Sequence, residues 1–307
     1  MKVIKKITAL FLALSLALVF VLPCYADTIY QYGGYTYKYD TANHIIICGL
    51  EEPASEVTFP SEIEHKEVIS VGLFAFQNDA TVTSVSFEGA SNLMGISAYA
   101  FSGCVNLENV ILTPQITVID RGAFSGDSLL RSINLQDSGI SEVSISLFQN
   151  CTSLTTITLP DNVKAIRSMA FANCTSLQTV IIGPDVTEIA DNAFDNDPNL
   201  VIYGFAGSYA QTYAHEHNIP FVEMVKFLLG DVDGVDGVNI NDVTAIQSHL
   251  AELKTVEGVY LLAADANQDD VVDISDATAI QMKLAEYELP YPIGQYVTKE
   301  VVAQENN

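Results

Sequence analysis

The sequence predicts an α+β chain: a capped solenoid of about six coils of 23–25 residues, followed by a small all-α unit of paired loop–helix motifs. Two observations predict it. Phenylalanines stand at Phe76, Phe101, Phe124, Phe148, Phe171 and Phe194, at intervals of 25, 23, 24, 23 and 23 residues. Six positions after each comes Val82, Leu107, Leu130, Leu154, Leu177 or Leu200, and nine positions after comes Val85, Val110, Ile133, Ile157, Val180 or Tyr203. Three apolar columns in step mean coils that bury their edges against one another. Nearer the C-terminus, Asp231-Val-Asp-Gly-Val-Asp-Gly-Val-Asn-Ile-Asn-Asp242 and Asp265-Ala-Asn-Gln-Asp-Asp-Val-Val-Asp-Ile-Ser-Asp276 lie thirty-four residues apart. Each runs into nearly the same amphipathic helix.

Taken in order, residues 1–26 read as an export leader. Lys2, Lys5 and Lys6 precede an apolar run from Ile7 to Leu22, and Cys24-Tyr-Ala26 offers a cleavage site of the small-residue kind. No later apolar run approaches the roughly 20 residues that span a bilayer. The mature chain is therefore expected to be secreted, with no membrane span. A formal charge of −25 excludes nucleic acid and anionic lipid as partners, since both need basic patches. Cys48, Cys104, Cys151 and Cys174 are too few to staple a chain of this size, so the core must be hydrophobic. Three positions after each Phe the column reads Asp79, Cys104, Asp127, Cys151, Cys174 and Asp197. Buried thiols are expected there, and a bridge between Cys151 and Cys174 in adjacent coils is sterically open.

Residues 27–225 hold the solenoid. Tyr30 to Cys48 is expected to form a hairpin over the first coil, and Gly207-Ser-Tyr-Ala-Gln-Thr-Tyr-Ala-His215 a helix that closes the last. Strand side chains alternate, so residues flanking the ninth position point outward. The concave face is thus expected to carry Ser84, Asn109, Ser132, Asn134, Thr156, Thr158 and Thr179, small, hydroxyl-rich and nearly uncharged. It lacks the paired carboxylates of glycoside hydrolysis and any aromatic platform for a sugar. What remains is a solvated sheet without a ligand, or a protein or extended polymer laid along it. The unit Val163-Lys-Ala-Ile-Arg-Ser-Met-Ala-Phe-Ala-Asn-Cys-Thr-Ser-Leu-Gln-Thr-Val-Ile-Ile182 resembles a BspA-type leucine-rich repeat, over about Val57 to Tyr203. That resemblance implies the solenoid and a role in adhesion or recognition of varied partners, without naming an activity.

Oxygen ligands at loop positions 1, 3, 5, 9 and 12, with a backbone carbonyl at 7, suit calcium. The second loop meets this pattern with Asp265, Asn267, Asp269, Val271 (through its carbonyl), Asp273 and Asp276. The first offers Asp231, Asp233, Asn239 and Asp242, but Val235 stands at position 5 and Asp236 at position 6. Two calcium ions are expected, with an intact second site and a first site either weaker or remodelled to bring Asp236 inward. The duplicated loop–helix over residues 226–297 resembles a type I dockerin, a calcium-dependent plug for cohesin modules of cellulosome scaffolds. Pro290-Tyr-Pro-Ile-Gly294, with Phe227 and Leu228, resembles the terminal clasp of such modules. The resemblance implies a cohesin-binding face at Ile240, Asn241, Gln247, Ser248 and His249 in the first copy. In the second it implies Ile274, Ser275, Gln281, Met282 and Lys283. Residues 298–307 read as a polar tail.

No catalytic constellation emerges. His215-Glu-His217 puts its two imidazoles on different helix faces, and no Gly-x-Ser-x-Gly or phosphate-cradling glycine loop is present. The expected function is a secreted, non-catalytic cellulosome component, docked through its dockerin and associated with polysaccharide catabolism. An enzyme with its site in the solenoid, or a cell-surface adhesin, are the alternatives.

Overall fold

The computed structural model describes residues 2–4 and 28–300, so the expected leader lies, apart from Lys2–Ile4, outside the described residues. The chain divides into two compact units between Phe221 and Val222. In the first, every coil contributes a short strand that turns a buried residue inward, Val57, Val85, Val110, Ile133, Ile157, Val180 or Ile202. Glu56–Thr58, Ser84–Ser86, Asn109–Ile111 and Ser132–Ile133 pair in parallel, as do Thr156–Thr158, Thr179–Ile181 and Val201–Phe205. A second, narrower ladder runs through Ile45–Leu50, Lys66–Val71, Gly95–Ile96 and Val118–Ile119, then through Glu142–Val143, Ala165–Ile166 and Glu188–Ile189.

The Phe column is the spine of this unit. Successive rings from Phe76 to Phe194 stack face to face at 5.0, 5.5, 5.9, 5.5 and 5.1 Å, within 16° of parallel. Each repeat needs its neighbour because one ring has two faces to cover. Phe59 ends the stack edge-on against Phe76, and Tyr213 of helix α1 (Tyr209–Glu216) closes it at Phe194. Replacing Phe148, fully buried between two rings, with Ala is expected to cost about 3–5 kcal/mol. A urea titration followed by far-UV circular dichroism should show the loss, and an unchanged midpoint would contradict the stacking account.

Three expectations are corrected here. The solenoid makes about eight turns rather than six. The hairpin strand Ile45–Leu50 pairs in parallel with Lys66–Val71 and so forms a rung of its own, and α1 completes a last turn whose return bonds Ile202 N–H to Pro220 O at 2.9 Å. In the final coil Ile202, not Tyr203, lies opposite Val180, because that coil reaches its strand one residue early. Asn134 is not free on the concave face. Its side chain bonds both the N–H (2.6 Å) and the carbonyl (3.1 Å) of Leu112, which ends the strand at Ile133. Leu135–Asp137 then turns as a 3-10 helix, and the sheet breaks before Thr156. The 24-residue interval falls at this break, as does the widest ring step. The column of buried thiols is as expected: Cys104, Cys151 and Cys174 are free and buried, and the sterically open bridge between the last two is not formed.

Those thiols instead bond the Phe carbonyl of the preceding coil, Cys104 to Phe76 O (3.1 Å), Cys151 to Phe124 O (3.1 Å) and Cys174 to Phe148 O (3.0 Å). Asp127 and Asp197 occupy the same column. Asp127 accepts the Cys104 N–H at 2.9 Å, while its second oxygen, and both of Asp197's, are buried without a partner. Burial raises both carboxyls, that of Asp197 to about 7. Because this value lies above the unfolded one, the stability linked to Asp197 is fully present below about pH 4 and is lost as pH rises to about 7. Asp197 is only partly shielded, so solvent screening limits the effect to about 1–2 kcal/mol. The wild-type melting temperature is expected to fall between pH 4 and 8 by more than that of Asp197→Asn; parallel profiles would contradict it.

In the second unit, helices α2 (Ile240–Leu250) and α4 (Ile274–Leu284) pack together, with the short α3 (Val259–Ala264) before the second loop. Each of α2 and α4 opens with a reciprocal capping box, Asn239 with Asp242 and Asp273 with Asp276. The unit is not all-α, and the expected polar tail does not begin at 298. Tyr296–Glu300 forms a strand antiparallel to Phe221–Leu228, with Phe227 opposite Val297 and Leu228 opposite Tyr296. Alternation explains the difference: Val297 packs on the core while Tyr296, Thr298 and Glu300 face outward, so the strand's last three residues, Thr298–Glu300, read as polar. Ile293 and Phe227 are buried together in the unit's core, and Gly294 N–H bonds Leu229 O at 2.9 Å. This joins the unit's two ends where the clasp was expected.

Candidate functional site

The first loop brings three carboxylates together. Ligand-capable oxygens of Asp231, Asp233 and Asp242 lie within 4.8 Å of one another, a group that could hold a metal ion. Asp242 is the anchor: it is fully buried, and its oxygens accept N–H bonds from Val232 (2.7 Å), Asp233 (3.0 Å) and Asn239 (2.8 Å). Asp231 accepts the Gly234 N–H, and burial, followed by the nearby Asp242 charge, raises its pKa. Asn239 uses its amide oxygen to cap α2 and donates its amide N–H to the Gly237 carbonyl at 2.8 Å. Asp236 adopts a positive φ of 59° and stays exposed, outside the three-carboxylate group. The loop therefore is not remodelled to bring it inward.

The second loop repeats the backbone. Gln268 and Asp270 take positive φ (60° and 65°) as Gly234 and Asp236 do in the first (71° and 59°), although Gly237 (68°) has no positive-φ counterpart at Val271. Buried Asp276 accepts the N–H groups of Asn267 (3.0 Å) and Asp273 (2.8 Å), and burial raises its pKa. Asp273 is lowered by the Ser275 hydroxyl. Asp269 is tied to Asn267 through both the amide N–H (3.0 Å) and its own backbone, and Val271 N–H bonds Asp269 at 3.0 Å. Asp265 is engaged by Lys299, whose ammonium lies 3.3 Å from it and 2.9 Å from Asp270. Tight carboxylate convergence is thus found in the first loop among the described residues. In the second, amide and ammonium groups already stand between the oxygens. Lys299 is not legible in the sequence, because only the strand pairing of Tyr296–Glu300 brings it there and nothing local sets it apart from Lys226, Lys254 and Lys283.

The oxygen-only donor set, positive-φ turns at equal positions and buried capping carboxylates fit calcium, a hard cation that takes six to eight oxygens. Asp231, Asp233 and Asp242 would hold it in the first loop, and Asp265, Asp269, Asp276 and the Val271 carbonyl in the second.

On the helices, Ile240 and Ile274 are 59% and 60% exposed, and Asn241, Ser275, Gln247 and Gln281 are exposed too. The copies diverge further along. Met282 and Lys283 are exposed, whereas Ser248 is half-buried and His249 accepts the Val256 N–H through Nδ1 at 3.1 Å. Met282 does not belong to the unit's core.

On the repeat unit, Ser84, Asn109, Thr158 and Thr179 are half-buried and Ser132 and Thr156 exposed, all beside inward Val or Ile. Asn134 is consumed by the backbone, as described. The charged column lies on the other ladder, where Arg167 bonds Glu142 and Glu188 at 2.8 Å each. Residues 69–201 match the BspA type Leucine rich repeat region in six copies. This segment is a BspA-type leucine-rich repeat region. Solved leucine-rich repeat proteins resemble the chain. A leucine rich cell surface protein from Faecalibacterium prausnitzii is 28% identical over 57% of this chain and 54% of its own, with a TM-score of 0.47. A leucine-rich repeat protein from Bacteroides ovatus is 22% identical, over 58% and 56%, with a TM-score of 0.47. That of T. pallidum is 24% identical, over 55% and 68%, with a TM-score of 0.40. The chain thus spans about half the length of the first and of the B. ovatus protein. Comparison with curated proteins gives no match. No helix among the described residues is long and apolar enough to cross a membrane.

Proposed function

We propose that this is an exported, non-catalytic binding protein in which the leucine-rich repeat region presents a recognition surface and the C-terminal unit is a calcium-dependent dockerin-type plug for a cohesin. The observation that carries the plug is the duplication: two loops with matching positive-φ turns, each ending in a buried Asp that closes a capping box on the next helix. A merely solvated acidic loop has no need of a buried carboxylate at its last position. On this reading the chain joins a cellulosome-like assembly and serves polysaccharide catabolism by bringing its repeat surface to the enzymes gathered there. Probing a cohesin array with the full-length chain, in calcium and in EDTA, tests it. Capture by one or more cohesins in calcium alone supports the plug, and no capture in either condition rejects it.

The hydroxyl-rich, nearly uncharged repeat face favours a second reading of that region, an adhesin-like surface for a protein or polymer partner. A pull-down without any cohesin present separates it from a passive spacer. Turnover of a polysaccharide or peptide by the purified chain would reject the non-catalytic reading.

A further inference from the structure

We propose that Lys299 is a placeholder cation for the second loop, holding Asp265 until calcium arrives and then moving its charge wholly onto Asp270. The inference rests on the calcium reading of that loop. Lys299 Nζ lies between two carboxylates of different kind: Asp265, almost wholly buried at loop position 1, and Asp270, highly exposed at position 6, where no ligand is needed. The contact to Asp265 is the longer, 3.3 Å against 2.9 Å, and is the one an entering cation would displace. The backbone of Lys299 is fixed by pairing opposite Val225, so the flexible side chain can swing while the strand stays in place.

The first loop has no such device. Asp236, its position-6 Asp, shares the positive φ of Asp270, yet among the described residues no Lys, Arg or His forms an ion pair with it or with Asp231. Among the described residues, three first-loop carboxylates therefore face one another without a counter-charge, while the second loop carries one of its own. The two loops should load in order, the first ahead of the second, the reverse of what ligand spelling alone suggests. Asp270 also gains a purpose: it gives the displaced ammonium a seat.

Calcium chloride titrations by calorimetry of the full chain test this, with Asp231→Asn used to isolate the second loop. Lys299→Met is expected to tighten calcium there by about tenfold or more, the effect of removing one positive charge a few ångströms from a ligand. Asp270→Asn should weaken the same site, and that weakening should disappear in the Lys299→Met background, since there is no ammonium left to reseat. An unchanged or weaker second site in Lys299→Met overturns the proposal, as does an Asp270→Asn effect that persists in the double variant. Thermal melts in EDTA supply a readout free of metal: Lys299→Met should melt below wild type, and equal melting overturns the ion pair itself. If neither protein binds calcium while the EDTA difference remains, the calcium reading fails first and the placeholder falls with it.

Discussion

Removing calcium with EDTA is expected to lower the melting temperature of residues 222–300 strongly while that of the leucine-rich repeat region stays unchanged. The C-terminal unit is small, and its core is poor in large side chains: Ala263, Ala264, Ala266, Ala277 and Ala279 are five of its thirteen buried members. Such a core has little surplus to set against conformational entropy. In the metal-free state Asp231, Asp233 and Asp242 repel one another within 4.8 Å. An ion present at a thousand times its dissociation constant would add about 4 kcal/mol, a large share of so small a unit's stability. The repeat region has its own continuous core from Tyr37 to Ala214 and needs no ion. A melt followed by circular dichroism should show one transition moving strongly with calcium and one that does not. Asp242→Ala should lower the calcium-sensitive transition even in saturating calcium. It removes a ligand and leaves the N–H groups of Val232, Asp233 and Asn239 without their acceptor, a loss of about 3 kcal/mol. A single transition indifferent to EDTA would contradict the calcium reading.

How far the sequence carries such arguments depends on the range of the interaction. The Phe column and the duplicated loops were legible because each repeats at a fixed spacing, and one coil's solution must suit the next. Asn134 was not, since an outward strand position looks the same whether its amide meets water or the backbone of Leu112 in the neighbouring coil. The first and last turns were missed because they keep the ladder without the Phe, using Phe59 and Tyr213 set at other angles. Ligand spelling names candidate loop oxygens. It could not report that Lys299, held opposite Val225 by strand pairing, would stand at Asp265. Long-range pairing decided that, and no local pattern records it.

The two helix faces of the proposed plug are expected to be unequal, and this second large effect concerns binding rather than stability. Near duplication offers a cohesin two orientations related by a half-turn, with Ile240, Asn241 and Gln247 or Ile274, Ser275 and Gln281 as matching contacts. What separates them is the next pair. Met282 is exposed, adaptable and apolar, whereas Ser248 is half-buried; Lys283 is exposed and charged, whereas His249 is committed to the Val256 N–H. The second helix thus offers a larger free surface and a cation, and the first offers neither. Truncating a well-placed anchor costs about 2 kcal/mol or more, while its peripheral counterpart costs little. Gln281→Ala with Met282→Ala is therefore expected to weaken cohesin binding at least tenfold more than Gln247→Ala with Ser248→Ala, measured by calorimetry at saturating calcium. Both pairs lie outside the unit's buried core, so folding should be unaffected and melting temperatures serve as the control. Equal losses, or none until both pairs are changed together, would mean that the two orientations are interchangeable and that the divergence at Met282 and Lys283 serves some other contact.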